Sequence, residues 1–186
     1  RFRTENMIYE IGQIVDGNPV FYVNENKEGA MIYVGSGTCY GCSENFGDIL
    51  FNPITNPSLN NGPIRRFVGA GLQNTIEANS LGISGALISH SLTIDCFVPS
   101  IGELQLIKEN LHDSNINYGI ASYSHSSSTF NSSGGLICLH MSSGSESSGA
   151  DYYPYIKIVG NWNYGCMDEL ACNYNSNSNL EDGSCI

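Results

Sequence analysis

The stretch "VPSIGELQLIKENLHDS", residues 98–114, constrains the fold most. Pro99 leads in, and Ser100 and Glu103 stand in the S-x-x-E spacing of a capping box, which satisfies orphan amides at a helix start. Leu104, Ile107 and Leu111 then follow at i, i+3 and i+7, so the helix has one apolar face. A helix with one apolar face must lie on something, and its neighbours in sequence are β-type. "LTIDCFV" (92–98) precedes it; "YGIASYSHSSSTF" (118–130), "GGLICLHMSS" (134–143) and "YYPYIKIVGNW" (152–162) follow, with Ser/Gly connections. Upstream, "PVFYVNENKEGAMIYVG" (19–35) places two β-rich runs around a turn, a hairpin pattern. A second, shorter helix is expected over about 70–80, closed by Gly82. The order predicts an α+β fold: an antiparallel sheet, two helices and long polar loops.

Charge narrows the function. The chain has 186 residues, 7 Lys and Arg against 18 Asp and Glu, and a net charge of −11. A phosphate backbone needs a basic patch, so no nucleic acid is expected as a partner. Charged residues make up only 13%, and Ser, Asn and Gly take their place. Such a neutral polar surface suits an extracellular β-rich module. No run approaches the roughly 20 apolar residues of a membrane-spanning helix. Seven cysteines imply a partial disulfide framework in an oxidising compartment, with at least one thiol left over.

Several motifs carry possible chemistry. Cys39 and Cys42 form a C-x-x-C, but they sit in the Gly-rich loop "SGTCYGCSENFGD" without the βαβ context of a thioredoxin-like site. A disulfide is the favoured reading there, and a thiol oxidoreductase is the enzyme alternative. "VGAGLQNT" has two of the glycines of a dinucleotide fingerprint and lacks the rest, so nucleotide binding is rejected. The histidines His90, His112, His125 and His140 show no metal-ligand spacing. Cys96 and Cys138 lie in apolar runs, either paired or buried as small hydrophobes. Candidate ligand-binding residues are Tyr123, Ser126, Tyr152, Tyr153 and Tyr155, a Tyr- and Ser-rich set of the kind that builds contact surfaces. A structural aromatic ladder would explain the tyrosines equally well.

In the C-terminal stretch "GCMDELACNYNSNSNLEDGSC" (165–185), oxygen-bearing side chains alternate from Asn173 to Glu181. Asp168, Asn173, Asn175, Glu181 and Asp182 are candidate calcium ligands, since calcium takes six to eight oxygens. The EF-hand order is absent. Asx-turns, in which Asn side chains bond nearby backbone, are the competing account.

"IGQIVDGNPVFYVNENKEGAMIY", "VGAGLQNTIEA", "IDCFVPSIGELQLIKENL", "ASYSHSSSTFNS" and "YYPYIKIV" together resemble, in the same order, the lectin-like C-terminal domain of bacterial collagen-like adhesins. The resemblance covers about residues 10–160. It implies a C-type-lectin-like fold, used on bacterial surfaces and phage fibres as a display scaffold. Residues 165–185 resemble a short Cys/Asn/Asp module of bacterial surface proteins, matched at Gly165, Cys166, Asp168, Ala171, Asn173, Tyr174, Asn175, Asp182, Gly183, Ser184 and Cys185. A Cys166–Cys185 disulfide is expected in that module. A segment of this length with almost no core needs a crosslink, and loop closure contributes roughly 3 kcal/mol.

The expected organisation is an N-terminal extension (1–9), a lectin-like domain (10–160) and a stapled module (161–186). The expected function is that of a secreted, non-enzymatic structural or adhesive protein at a cell or virion surface, a subunit of an appendage or fibre. Its partners would be further copies or a neighbouring surface protein, and a glycan- or receptor-binding adhesin is the alternative.

Overall fold

A computed structural model describes residues 7–38, 66–80, 95–116, 119–129, 136–148, 152–181 and 184–186. The fold is α+β. Strands β1 (Ile14–Val15), β2 (Asn18–Val23) and β3 (Gly29–Thr38) are followed by helices α1 (Ala70–Ser80) and α2 (Ile101–Ile107). Then come β4 (Tyr123–Thr129), β5 (Leu136–His140), β6 (Glu146–Ser148) and β7 (Tyr152–Gly160), and the short strands β8 (Tyr164–Gly165) and β9 (Leu180–Glu181). The main sheet has seven strands in the order β1-β2-β3-β7-β4-β5-β6.

The hairpin forms where the turn residues place it, with Val23 opposite Ala30. β7 is the spine of the sheet. It pairs antiparallel with β3 from Gly29↔Gly160 to Thr38↔Tyr152. Its other edge is shared between an isolated bridge, Phe97↔Ile156, and a parallel contact with β4 at Ser124↔Tyr152. All other pairings in the main sheet are antiparallel. Phe97 is therefore what the structure shows of the strand expected over 92–98; residues 92–94 lie outside the described residues. β6 falls inside a segment expected to be loop, because "ESS" has no apolar alternation and is held by its ladder to β5 and by the Arg66–Glu146 ion pair.

A bulge between Val20 and Tyr22 breaks the period of two in β2. Phe21 and Tyr22, adjacent in sequence, consequently both pack on one face of the sheet, while Val20 and Val23 pack on the other. Phe21 joins the main cluster with Met31, Tyr33, Ile137, Leu139 and Ile156, against Ile101, Leu104, Ile107 and Leu111 of the helical layer. Val20 joins a smaller cluster with Tyr9, Ala30 and Ile32 on the other face. The sheet is thus covered by α2 on one side and by the segment leading into β1 on the other.

α2 has the expected cap. Ser100 is extended, its Oγ accepts from the Glu103 amide, and the Glu103 side chain accepts from the Ser100 amide. The helix then widens into a π-helical turn over Lys108–His112, with the Asp113 amide bonding the Lys108 carbonyl at 2.8 Å. Leu111 stays fully buried through that widening. No helix among the described residues is long and apolar enough to cross a membrane.

Candidate functional site

The C-terminal segment is a clasp. Tyr164 and Gly165 pair in parallel with Leu180 and Glu181, and Cys166 is bonded to Cys185 with their Cα atoms 4.8 Å apart. The expected staple is present. The loop lies close on the strand at Gly165, where a Cβ would meet the Ser178 hydroxyl at 2.3 Å.

The alternating oxygens hold backbone together. Asn173 donates to the Ser184 carbonyl at 2.5 Å and accepts from the Ile186 amide at 3.0 Å. Asn179 Oδ1 accepts from the Asn163 amide at 2.8 Å, tying the loop to the chain that enters it. Asp168 Oδ1 accepts from the Leu170 amide and Asn175 Oδ1 from the Asn177 amide, both Asx-type turns. Four side-chain oxygens are therefore engaged by N–H groups. Among the described residues, no group of His, Cys, Asp or Glu is arranged to hold a metal ion. Asp182 and the side chain of Glu181, two of the candidate calcium ligands, lie outside the described residues.

This clasp docks on the sheet through apolar contacts. Leu180 is buried within the main cluster. Trp162 stacks on Tyr22 of β2, ring centroids 6.1 Å apart, and its Nε1–H donates to the Val159 carbonyl. Tyr164 meets α1 across a neutral cleft of about 240 Å³, lined also by Gly69, Leu72, Gln73 and Ile76. Burial holds the Tyr164 phenol above its ordinary value, and the Glu103 charge adds to the effect.

Beneath the cleft lies Glu103, which has no exposed surface. Its Oε1 accepts from the Gly69 amide at 2.8 Å and from the Gly71 amide at 3.4 Å, at the start of α1. Its Oε2 accepts from the Ser100 amide at 2.7 Å, at the start of α2. One carboxyl thus caps two helices. Gly71 permits it: a Cβ there would stand 2.2 Å from Glu103 Oε2 and 2.8 Å from the Val98 carbonyl. Close packing on Glu103 is what the glycines of "VGAGLQNT" provide. Burial pushes the Glu103 carboxyl up to about 7, against the downward pull of the three amides.

The tyrosine and serine candidates are dispersed. Ser126 is buried and its hydroxyl donates to the Ile137 carbonyl at 2.9 Å; Tyr155 is buried, with its phenol held high by that burial. Tyr152 is exposed. The side chains of Tyr123 and Tyr153 lie outside the described residues. The alternation of β4 explains the loss of Ser126, since Ser124 and Ser126 both face inward.

A serine–histidine contact occurs that spacing did not single out. Ser143 Oγ lies 2.7 Å from His140 Nδ1, with Ser142 Oγ at 3.1 Å and Ser145 Oγ 2.8 Å from Ser143 Oγ. The nearby amides are already engaged: Ser143 N–H by His140 Nδ1, Gly144 N–H by the His140 carbonyl, Ser145 N–H by Ser143 Oγ. These amides offer no oxyanion donors, so the contact acts as a turn lock.

Cys172 is an exposed free thiol, whereas Cys96 and Cys138 are buried. Cys39 and Cys42 lie outside the described residues. Sequence reading missed the docking of the clasp, because Leu180 is a lone apolar residue in a polar run. The second role of Glu103 was also missed, since its partners are 32 and 34 residues away. No protein-family model matches the chain, and no curated protein matches it.

Proposed function

We propose that this chain is a secreted, non-enzymatic structural or adhesive protein, a subunit of an extracellular appendage or fibre at a cell or virion surface. The observation that carries this reading is the clasp: a Cys166–Cys185 disulfide locks a polar segment onto the sheet and leaves an exposed Cys172 thiol beside it. Disulfides of this kind persist in oxidising compartments. A stapled segment with outward apolar side chains suits contact between subunits better than turnover of a small molecule. The C-type-lectin-like reading of residues 10–160 is consistent with the α+β order and supplies a rigid display scaffold.

The test is native mass spectrometry of the intact protein with and without reductant. Assemblies larger than a monomer, with the Cys166–Cys185 bond intact, are expected; a monomer at every concentration would overturn the reading.

A glycan-binding adhesin is the second reading. The neutral cleft favours it, because the exposed Tyr164 ring and the Gln73 amide offer a stacking face and hydrogen-bonding groups. A glycan array answered by the wild type and lost in Tyr164→Ala would move the function there.

A further inference from the structure

We infer that Cys172 is the attacking thiol of an internal disulfide exchange: it displaces Cys166 from Cys185 and so unlatches the tail of the clasp from its root. The exchange takes place within one chain and is independent of the assembly reading above.

Three cysteines share the clasp, and the fold gives each a different standing. Cys166 follows directly on β8, is buried, and is bonded to Cys185 with their Cα atoms 4.8 Å apart. Cys185 is partly exposed. Cys172 is an exposed free thiol. Cys96 and Cys138, the other free cysteines among the described residues, are buried and lie outside the clasp.

Hydrogen bonds hold Cys172 alongside Cys185. The Cys172 amide donates to the Ile186 carbonyl at 2.8 Å. Asn173 accepts from the Ile186 amide at 3.0 Å and donates to the Ser184 carbonyl at 2.5 Å. The residues on both sides of Cys185 are therefore stitched to Cys172 and Asn173. Chain segments bonded in this way run about 4.8 Å apart, within the roughly 4.4–6.8 Å over which the Cα atoms of a disulfide are spaced.

Exposure selects the sulfur that is attacked. Exchange proceeds by attack of a thiolate on an accessible disulfide sulfur, and of the two bonded cysteines only Cys185 is open to solvent. Cys172 loses its proton to solvent and its sulfur bonds Cys185 Sγ. The Cys166–Cys185 bond breaks, and Cys166 leaves as a thiolate that takes up a proton. One disulfide replaces another, so no oxidant or reductant is consumed.

The exchange changes what the crosslink holds. The present bond ties the tail to β8, next to the Gly165↔Glu181 pair. The exchanged bond closes the tail on itself, and β9 then stays on β8 only through its short ladder and the burial of Leu180. The new loop is only slightly shorter, so loop closure barely favours either pairing. The burial of Cys166 and the bond from the Asn175 amide to its carbonyl at 3.0 Å favour the present one. Any contact that lifts Cys166 from its seat would move the equilibrium to the other.

The experiment holds the full chain at about pH 8, where thiolate is available, without added thiol. Samples are quenched in acid, free thiols are capped with N-ethylmaleimide, and monomers and dimers are separated before linked peptides are mapped. A Cys172–Cys185 peptide that grows with time in the monomer is expected, together with capped Cys166. Both should be lost in Cys172→Ser, which alters an exposed side chain and keeps the Cys166–Cys185 bond. A native chain that gives no Cys172–Cys185 peptide overturns the inference. Capped Cys166 that persists in Cys172→Ser names another attacking thiol and overturns it as well. A Cys172–Cys185 peptide found only in dimers means exchange between copies, and pairs with Cys96 or Cys138 in equal measure mean scrambling of unfolded chains; either result overturns it.

Discussion

Glu103 on α2 accepts the Gly69 amide of α1 at 2.8 Å while its other oxygen takes the Ser100 amide at 2.7 Å. The capping box that starts α2 is therefore also the bolt between the helices. Thr75 adds a second tie, with its Oγ1 donating to the Gly71 carbonyl and accepting from the Val98 amide.

Gly71→Ala should destabilise the protein, although alanine is the better helix former by about 1 kcal/mol. The added Cβ would press on Glu103 Oε2, the Val98 carbonyl and the Ser100 amide together. A loss of about 2 kcal/mol or more is expected from overpacking. Urea denaturation would reveal it, and a stabilised variant would show that the junction gives way freely.

Glu103 also makes a pH prediction. Its carboxyl is raised from 4.5 to about 7 by burial, so the folded chain holds a proton that the unfolded chain releases first. The stabilisation that Glu103 contributes should be greatest below about 4.5 and fall away as pH rises to about 7, by on the order of 3 kcal/mol. Glu103→Gln cannot titrate and should lack that slope. Parallel curves for both proteins across pH 4–8 would contradict the assignment.

Leu180→Ala should lower global stability by about 3 kcal/mol, because it opens a cavity in the main core. Trp162→Ala removes the stack on Tyr22 and should act in the same direction. Denaturation followed by tyrosine and tryptophan signals should give one coincident transition for the clasp and sheet. Loss of hydrogen-exchange protection confined to residues 161–186 would instead mean that the clasp melts alone.

Reduction should loosen the clasp by roughly 3 kcal/mol, the loop-closure contribution of its disulfide. A calcium chelator should leave the melting profile unchanged, since the described Asn and Asp oxygens are engaged by backbone amides. A melting temperature that falls with chelator and not with reductant would reverse that order and point to Asp182 and Glu181.

Much of the architecture was legible in local pattern. The capping spacing at Ser100 and Glu103 and the apolar face of Leu104, Ile107 and Leu111 read directly as α2. The turn between Val23 and Ala30 read directly as a hairpin, and Cys166 and Cys185 as a staple. What was not legible depended on neighbours distant in sequence. Ser126 and Tyr155 look like surface residues by type, yet strand register turns them inward. The run from Asn173 to Glu181 looks like a ligand set, yet Asn173 and Asn179 are clamps whose partners lie 11 to 16 residues away.

By itself the sequence determined where α2 starts and where the β2–β3 hairpin turns, because caps, turns and periodicity act over a few residues. It also determined the chemical temperament of the molecule, acidic, charge-poor and cysteine-bearing. Only the tertiary structure decided that Glu103 would serve two helices and that Leu180 and Tyr9 would pack in different clusters of the core. Those outcomes turn on strand order and on the bulge in β2, which puts Phe21 and Tyr22 on one side of the sheet and leaves Val20 and Val23 on the other. A one-residue change in register reverses every such assignment, and no local pattern records it.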